Sequence, residues 1–144
     1  MGLVYNPVAA VRKPSAGTGR NRRLLPEEER RLLPACDEAS NPMVGWMVRL
    51  AISTGLRAGE IQSLCRGQVD LIKRVVRLNK TKNGTARTIP LTRLAVQVLQ
   101  EALAHPIRPL NTELVFWGEP GRDGQRRSYE YNPAWRRALK RVGI

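Results

Sequence analysis

Cysteine and histidine are nearly absent: the 144 residues hold two cysteines and one histidine. Two thiols exclude a disulfide framework, and so few thiols and imidazoles exclude an ordinary Cys/His zinc centre. No metal and no other cofactor is expected. Aromatic residues are 5% of the chain, too few for a platform that stacks bases, and no RNP-like run is present, which argues against an RNA binder. No apolar run approaches the ~20 residues that a membrane span needs. The first ten residues lack a continuous apolar core, and Arg12 and Lys13 follow them, so no signal-peptide pattern is present. Acidic residues are also few, 12 against 25 Lys plus Arg.

What is present is positive charge on a foldable chain. The net charge is +13, and 42% of residues are hydrophobic, too many for wholesale disorder. This length supports about one domain and buries roughly two-thirds of the unfolded surface. The charge favours a polyanionic partner, with nucleic acid the commonest. The competing explanation is a chain kept soluble by its charge. A membrane surface fits less well, because no segment combines a basic face with a bulky apolar one.

Residues 1–23 read as a basic linker. Pro7, Pro14, Gly17 and Gly19 break any helix. Arg12, Lys13, Arg20, Arg22 and Arg23 charge it, with no acidic residue among them. Such an arm either floats in solvent or lies along a phosphate backbone. From Leu24 the pattern is that of a domain, 24–144. The spacing predicts a helix over 24–39, with Pro26 in its first turn and Glu27, Glu28 and Glu29 at the positive end of its dipole. Pro34 predicts a kink or an early end. A second helix is expected over 42–53, capped by Asn41, with Val44, Met47, Val48, Ala51 and Ile52 on its apolar stripe and Trp46 and Leu50 widening it. A short third helix follows over 57–65.

The period then changes from helix to strand. Residues 74–78 are β-branched, Asn83-Gly84 marks a hairpin turn, and 87–91 form the return strand. Thr92 caps a helix to 104, with Leu94, Ala95, Val98, Leu99 and Leu103 inward. Residues 105–113 read as loop, 114–117 as a strand, 118–127 as a polar, glycine-rich loop, and about 132–142 as a last helix. The fold class is mainly α with a small antiparallel β-sheet (α+β). Cys36 and Cys65 are expected as buried thiols on helix faces, in a reducing cytoplasm.

Two stretches carry a pattern. One is Ser53-Thr54-Gly55-Leu56-Arg57-Ala58-Gly59-Glu60-Ile61. The other is Asn79-Lys80-Thr81-Lys82-Asn83-Gly84-Thr85-Ala86-Arg87-Thr88-Ile89-Pro90-Leu91, with Val69-Asp70 between them. In that order and spacing they resemble the tyrosine recombinases, or phage integrases: T-G-L-R-x-x-E, a Val-Asp strand entry, a T-K-N-G hairpin, then R-x-x-P-L. Leu25 to Glu28 also resembles the start of that family's catalytic domain. The resemblance implies the N-terminal portion of such a domain, with double-stranded DNA and other recombinase subunits as partners, and DNA integration and recombination as the ancestral function.

Individual residues take roles on the same terms. Arg57 follows a glycine that ends a helix, and a planar, always-charged fork suits two oxygens of one phosphate. The resemblance implies that Arg57 is the first catalytic arginine. The plainer alternative is a surface pair with Glu60, three residues on. Lys82 sits on a tight hairpin, from which a long amine reaches beyond the sheet. The resemblance implies that it protonates the leaving 5′ oxygen, and the plainer alternative is a solvated turn lysine. Lys80 and Arg87 flank it and would face phosphates. Glu60 is implied to be a structural acid.

The family pattern continues with H-x-x-R, a His or Trp, and a tyrosine nucleophile. This sequence reads Ala138-Leu139-Lys140-Arg141-Val142-Gly143-Ile144 where that motif is due. Asn6-Pro7-Val8 resembles the exit linker of the DNA-gripping domain that precedes it in the family. His105-Pro106-Ile107-Arg108 matches H-x-x-R by letters, but it comes too early and its prolines prevent a helical His/Arg face. Tyr129 and Tyr131 precede the place of the missing motif, and Tyr5 lies in the linker. The expectation is an incomplete catalytic domain that binds DNA by backbone charge and does not cleave it alone. The alternatives are a piece of an active integrase and a decayed remnant with exposed apolar faces.

Overall fold

The computed structural model describes residues 22–79 and 86–144. The expectations for Arg12, Lys13, Arg20, Lys80, Lys82 and the Asn83-Gly84 turn lie outside the described residues. Helix α1 (Pro26–Asp37) starts with proline in its first turn. The Glu28 carboxylate accepts the Leu25 N–H at 3.0 Å and two Arg22 nitrogens at 2.7 and 3.1 Å. The Arg22 hydrogen bonds, then the backbone one, bring the Glu28 pKa down to about 2. Pro34 does not end the helix, which continues to Asp37. The missing N–H leaves the Arg30 carbonyl without its intrahelical donor. Both residues lie on the exposed side of the helix.

Helix α2 (Met43–Thr54) begins one residue later than expected, and Asn41 Oδ1 accepts the Met43 N–H at 3.0 Å. It is the central helix. Met43, Trp46, Met47 and Leu50 enter the larger core, together with Leu99 and Phe116. Val44, on its other flank, joins Leu32 and Cys36 of α1 and Ala134 and Ala138 of the last helix. A helix packed on two sides is apolar over more than one stripe, and Trp46 and Leu50, expected to widen the face, are both buried. The expected face was misplaced at Ile52, which is 43% exposed. Ile52 lines an apolar groove of about 270 Å³ with Leu24, Met47, Val48, Ala51 and Trp135.

Helix α3 (Ala58–Gln62) is shorter than predicted and gives way to a 3-10 turn at Arg66–Gln68. Cys65 therefore lies in extended chain, bridged to Leu114 and half-buried, and not on a helix face. Cys36 is fully buried, and that burial raises its thiol pKa. Strands β1 (Val69–Asp70), β2 (Val75–Leu78) and β3 (Arg87–Pro90) form an antiparallel sheet in that order. Val76 pairs with Ile89 and Leu78 with Arg87. Val76 and Leu78, two apart, are buried, the period a half-buried strand requires.

Helix α4 (Arg93–Ala104) is capped by Thr92, whose hydroxyl accepts the Ala95 N–H at 3.1 Å. Ala95, Val98, Leu99 and Ala102 are buried, while Leu94, expected inward, is 43% exposed in the first turn. The segment expected as a strand at 114–117 only begins one: β4 is Trp117–Pro120 and pairs with β5, Arg126–Ser128. The predicted polar loop at 118–127 is thus largely a hairpin, and Gly118 permits the close approach. A Cβ there would lie 2.9 Å from the Ser128 carbonyl oxygen. Helix α5 (Asn132–Val142) closes the fold against α1.

Candidate functional site

The site is built at the corner between α2 and α3. Gly55 ends α2 in the left-handed region, φ +68°, and donates its N–H to the Ala51 carbonyl at 2.9 Å. Left-handed backbone strains any residue with a Cβ. The turn buries Leu56 at 4% exposure and leaves the Arg57 side chain 56% exposed. Arg57 is the N-cap of α3, and Glu60 stands at its third position. One oxygen of Glu60 accepts the Arg57 N–H at 2.8 Å, and the other accepts Arg57 Nη1 at 3.2 Å.

A second guanidinium completes the site. Arg87, the first residue of β3, donates Nη2 to Glu60 Oε2 at 2.6 Å. One carboxylate, only 12% exposed, thus lies between two arginines from different elements. Burial opposes its charge, but the Arg57 N–H, the nearby Arg87 charge and the Arg57 guanidinium outweigh it and lower the Glu60 pKa. Two cations against one anion leave the trio with a single excess positive charge, which suits an external anion.

The structure brings Arg57 and Arg87 together. It places Arg22 elsewhere, on Glu28 at the head of α1, with Arg23 exposed beside it. Both expectations for the Arg57–Glu60 relation are met geometrically, since Glu60 both braces the turn and pairs with the side chain. The Arg87–Glu60 pair spans 27 residues, and no local spacing signals it. Sequence reasoning also passed over Arg136, Arg137 and Lys140, exposed on α5. The amphipathic pattern of 132–142 was the available signal.

The alternative catalytic letters are structural. His105 lies edge-on to Trp46 at 5.3 Å and tilted to Trp117 at 6.1 Å. Arg108 stacks 5.2 Å from the Trp117 ring and donates to the Val115 and Thr112 carbonyls at 3.3 and 3.2 Å. Burial lowers the Arg108 pKa. Tyr129 is half-buried between the two cores, and burial raises its hydroxyl pKa. Among the described residues no cluster of three His, Cys, Asp or Glu could hold a metal, and no helix is long and apolar enough to cross a membrane.

The model of the phage integrase family matches residues 22–144. The chain belongs to the phage integrase family. Among integrase relatives, it is 45% identical over 95 residues to a shufflon-specific DNA recombinase of Escherichia coli, covering 66% of this chain and 24% of that one. It is 30% identical over 142 residues to a Salmonella phage integrase, covering 93% of this chain and 35% of that one. The chain therefore spans about a quarter to a third of these integrase relatives. The Tn1549 transposon integrase, solved with circular intermediate DNA, superposes with a TM-score of 0.64 at 19% identity, over 90% of this chain and 47% of that one. The catalytic domain of bacteriophage HP1 integrase superposes with a TM-score of 0.55 at 23% identity, over 84% and 58%. The fold is that of the matched part of an integrase catalytic domain.

Proposed function

We propose that this chain is a recombinase-related module that binds duplex DNA through the phosphate backbone, with Arg57 against one phosphate. The observation that supports it is the mounting of Arg57. A rigid helix end and Glu60 hold one edge of the fork, and the rest makes no further hydrogen bond among the described residues. In-plane donors held this way suit phosphate oxygens. Lys82 would stand with Arg57 at the phosphate, and Lys80 and Arg87 would add charge to the same face. Arg12, Lys13, Arg20, Arg22 and Arg23 would form the linker arm, 1–23, that tracks the backbone ahead of the catalytic-domain region, 24–144. A second recombinase subunit is the natural protein partner, in the cytoplasm.

The chain by itself would leave the strands uncut. Transfer at a phosphodiester in this family needs a tyrosine nucleophile attacking in line. The sequence's His105-x-x-Arg108 is occupied in bracing a loop, and Tyr129 is packed between cores. No covalent adduct should form on a nicked duplex, and a protein–DNA band resistant to denaturant would overturn this. A second reading, favoured by the apolar groove beside Ile52, is that these residues work within a complete recombinase. Adding a fragment that carries H-x-x-R and the tyrosine would then restore cleavage.

The direct test is duplex affinity against salt. Backbone binding gives a log–log slope near −0.9 per phosphate neutralised. Arg57→Ala should make that slope shallower by about 0.9 and weaken binding about tenfold at low salt. Affinity that does not change between about 50 and 200 mM salt would sink the proposal.

A further inference from the structure

We infer that Arg87 is a positioning residue, which keeps Glu60 from closing on Arg57 and so leaves the Arg57 fork open to a phosphate. The inference rests on the reading that Arg57 meets a DNA phosphate. Three observations carry it. The Arg87 Nη2 contact with Glu60 Oε2 is 2.6 Å, while Arg57 Nη1 stands 3.2 Å from Oε1. The Oε2 atom that Arg87 holds also accepts the Arg57 N–H at 2.8 Å. Arg87 Nε is buried with no acceptor among the described residues, and the Arg87 side chain is 38% exposed against 56% for Arg57.

The physical consequence concerns competition. A carboxylate next to a lone guanidinium prefers the two-pronged pair, which would occupy the edge a phosphate needs. Arg87 shares the second oxygen with the Arg57 N–H and supplies a counter-charge, so Glu60 holds the Arg57 guanidinium by one contact only. Removing Arg87 frees Glu60 to clamp Arg57 and cancels the excess charge of the trio. The loss is then felt through Arg57 and Glu60, not through a phosphate contact of Arg87 itself.

Double-mutant cycles on duplex affinity separate these cases. Arg87→Ala should weaken binding about fivefold in the parent, but less than about twofold where Arg57→Ala or Glu60→Gln is already present. In the Arg57→Ala background it should leave the salt slope unchanged. A direct phosphate ligand would cost the same in every background and remove about 0.9 from the slope each time. A general charge effect would likewise be additive, so equal costs across backgrounds overturn this inference and leave the DNA-binding reading standing. A parent protein that shows no salt-dependent binding overturns both. Urea melts of each variant report folding, and if Arg87→Ala does not fold, Arg87→Gln is carried through the same cycles with the same criteria.

Discussion

Single side chains set the conditions under which this domain survives. Arg108 reaches two carbonyls and the face of Trp117, so Arg108→Ala should cost about 1–2 kcal/mol, read from the urea midpoint at constant slope. Phe116 is fully buried, and Phe116→Ala should cost about 3–5 kcal/mol. Acid acts through carboxylates. The pKa of Glu28 falls to about 2 from an ordinary 4.5, and those of Glu60 and Asp70 are lowered as well. A carboxyl depressed by folding adds stability above its unfolded pKa and loses it as pH falls through the folded value. The urea midpoints of the parent and Glu28→Gln should therefore differ near pH 6 and converge as pH drops from about 4.5 towards 2. A constant gap across that range would contradict the Arg22–Glu28 pair. At this scale the sequence discloses neighbours but not strangers. Arg57 and Glu60, three apart, were legible as a pair, whereas Arg87 reaches Glu60 only because the sheet returns to the corner.

At the scale of elements, glycine and proline decide geometry. Gly55→Ala places a Cβ in left-handed backbone, where there is space but an unfavourable φ. It should cost about 1 kcal/mol and weaken DNA binding along with it, because the same turn presents Arg57. Pro34→Ala should do the reverse. It restores a donor for the Arg30 carbonyl within α1 and should raise stability by about 1 kcal/mol, the remainder of the helix gain being offset by a freer unfolded chain. The same elements show why legibility ended where it did. Thr92 and Asn41 announce helix starts through their own side chains. The β4–β5 hairpin pairs Trp117 with Ser128 and Pro120 with Arg126, so no alternating apolar pattern marks it. Its one local sign was Asp123-Gly124, with Gly124 at φ +75° and Asp123 Oδ1 accepting the Gln125 N–H. Pro34 does not end α1 because the burial of Leu32, Ala35 and Cys36 on either side of it outweighs the local proline penalty.

The molecule as a whole has two cores divided by α2, and a groove that bares apolar side chains at Leu24 and Ile52. Exposed apolar surface of this kind binds hydrophobic dyes. Ile52→Lys should reduce the fluorescence of such a dye with the folded protein, and unchanged fluorescence would place the bare surface elsewhere.

The smaller core joins the first helix to the last. Leu32 and Cys36 of α1 pack on Ala134 and Ala138 of α5, and Arg31 donates to the Val142 carbonyl at 3.2 Å. Synthesis proceeds at about 5–20 residues per second, so α1 leaves the ribosome several seconds before its partner exists. Through that interval the Cys36 thiol, sealed in the finished fold, stands open to solvent. A pulse of alkylating reagent should mark Cys36 on nascent chains and miss it on completed ones, making one sulfur atom a clock for the moment the domain closes.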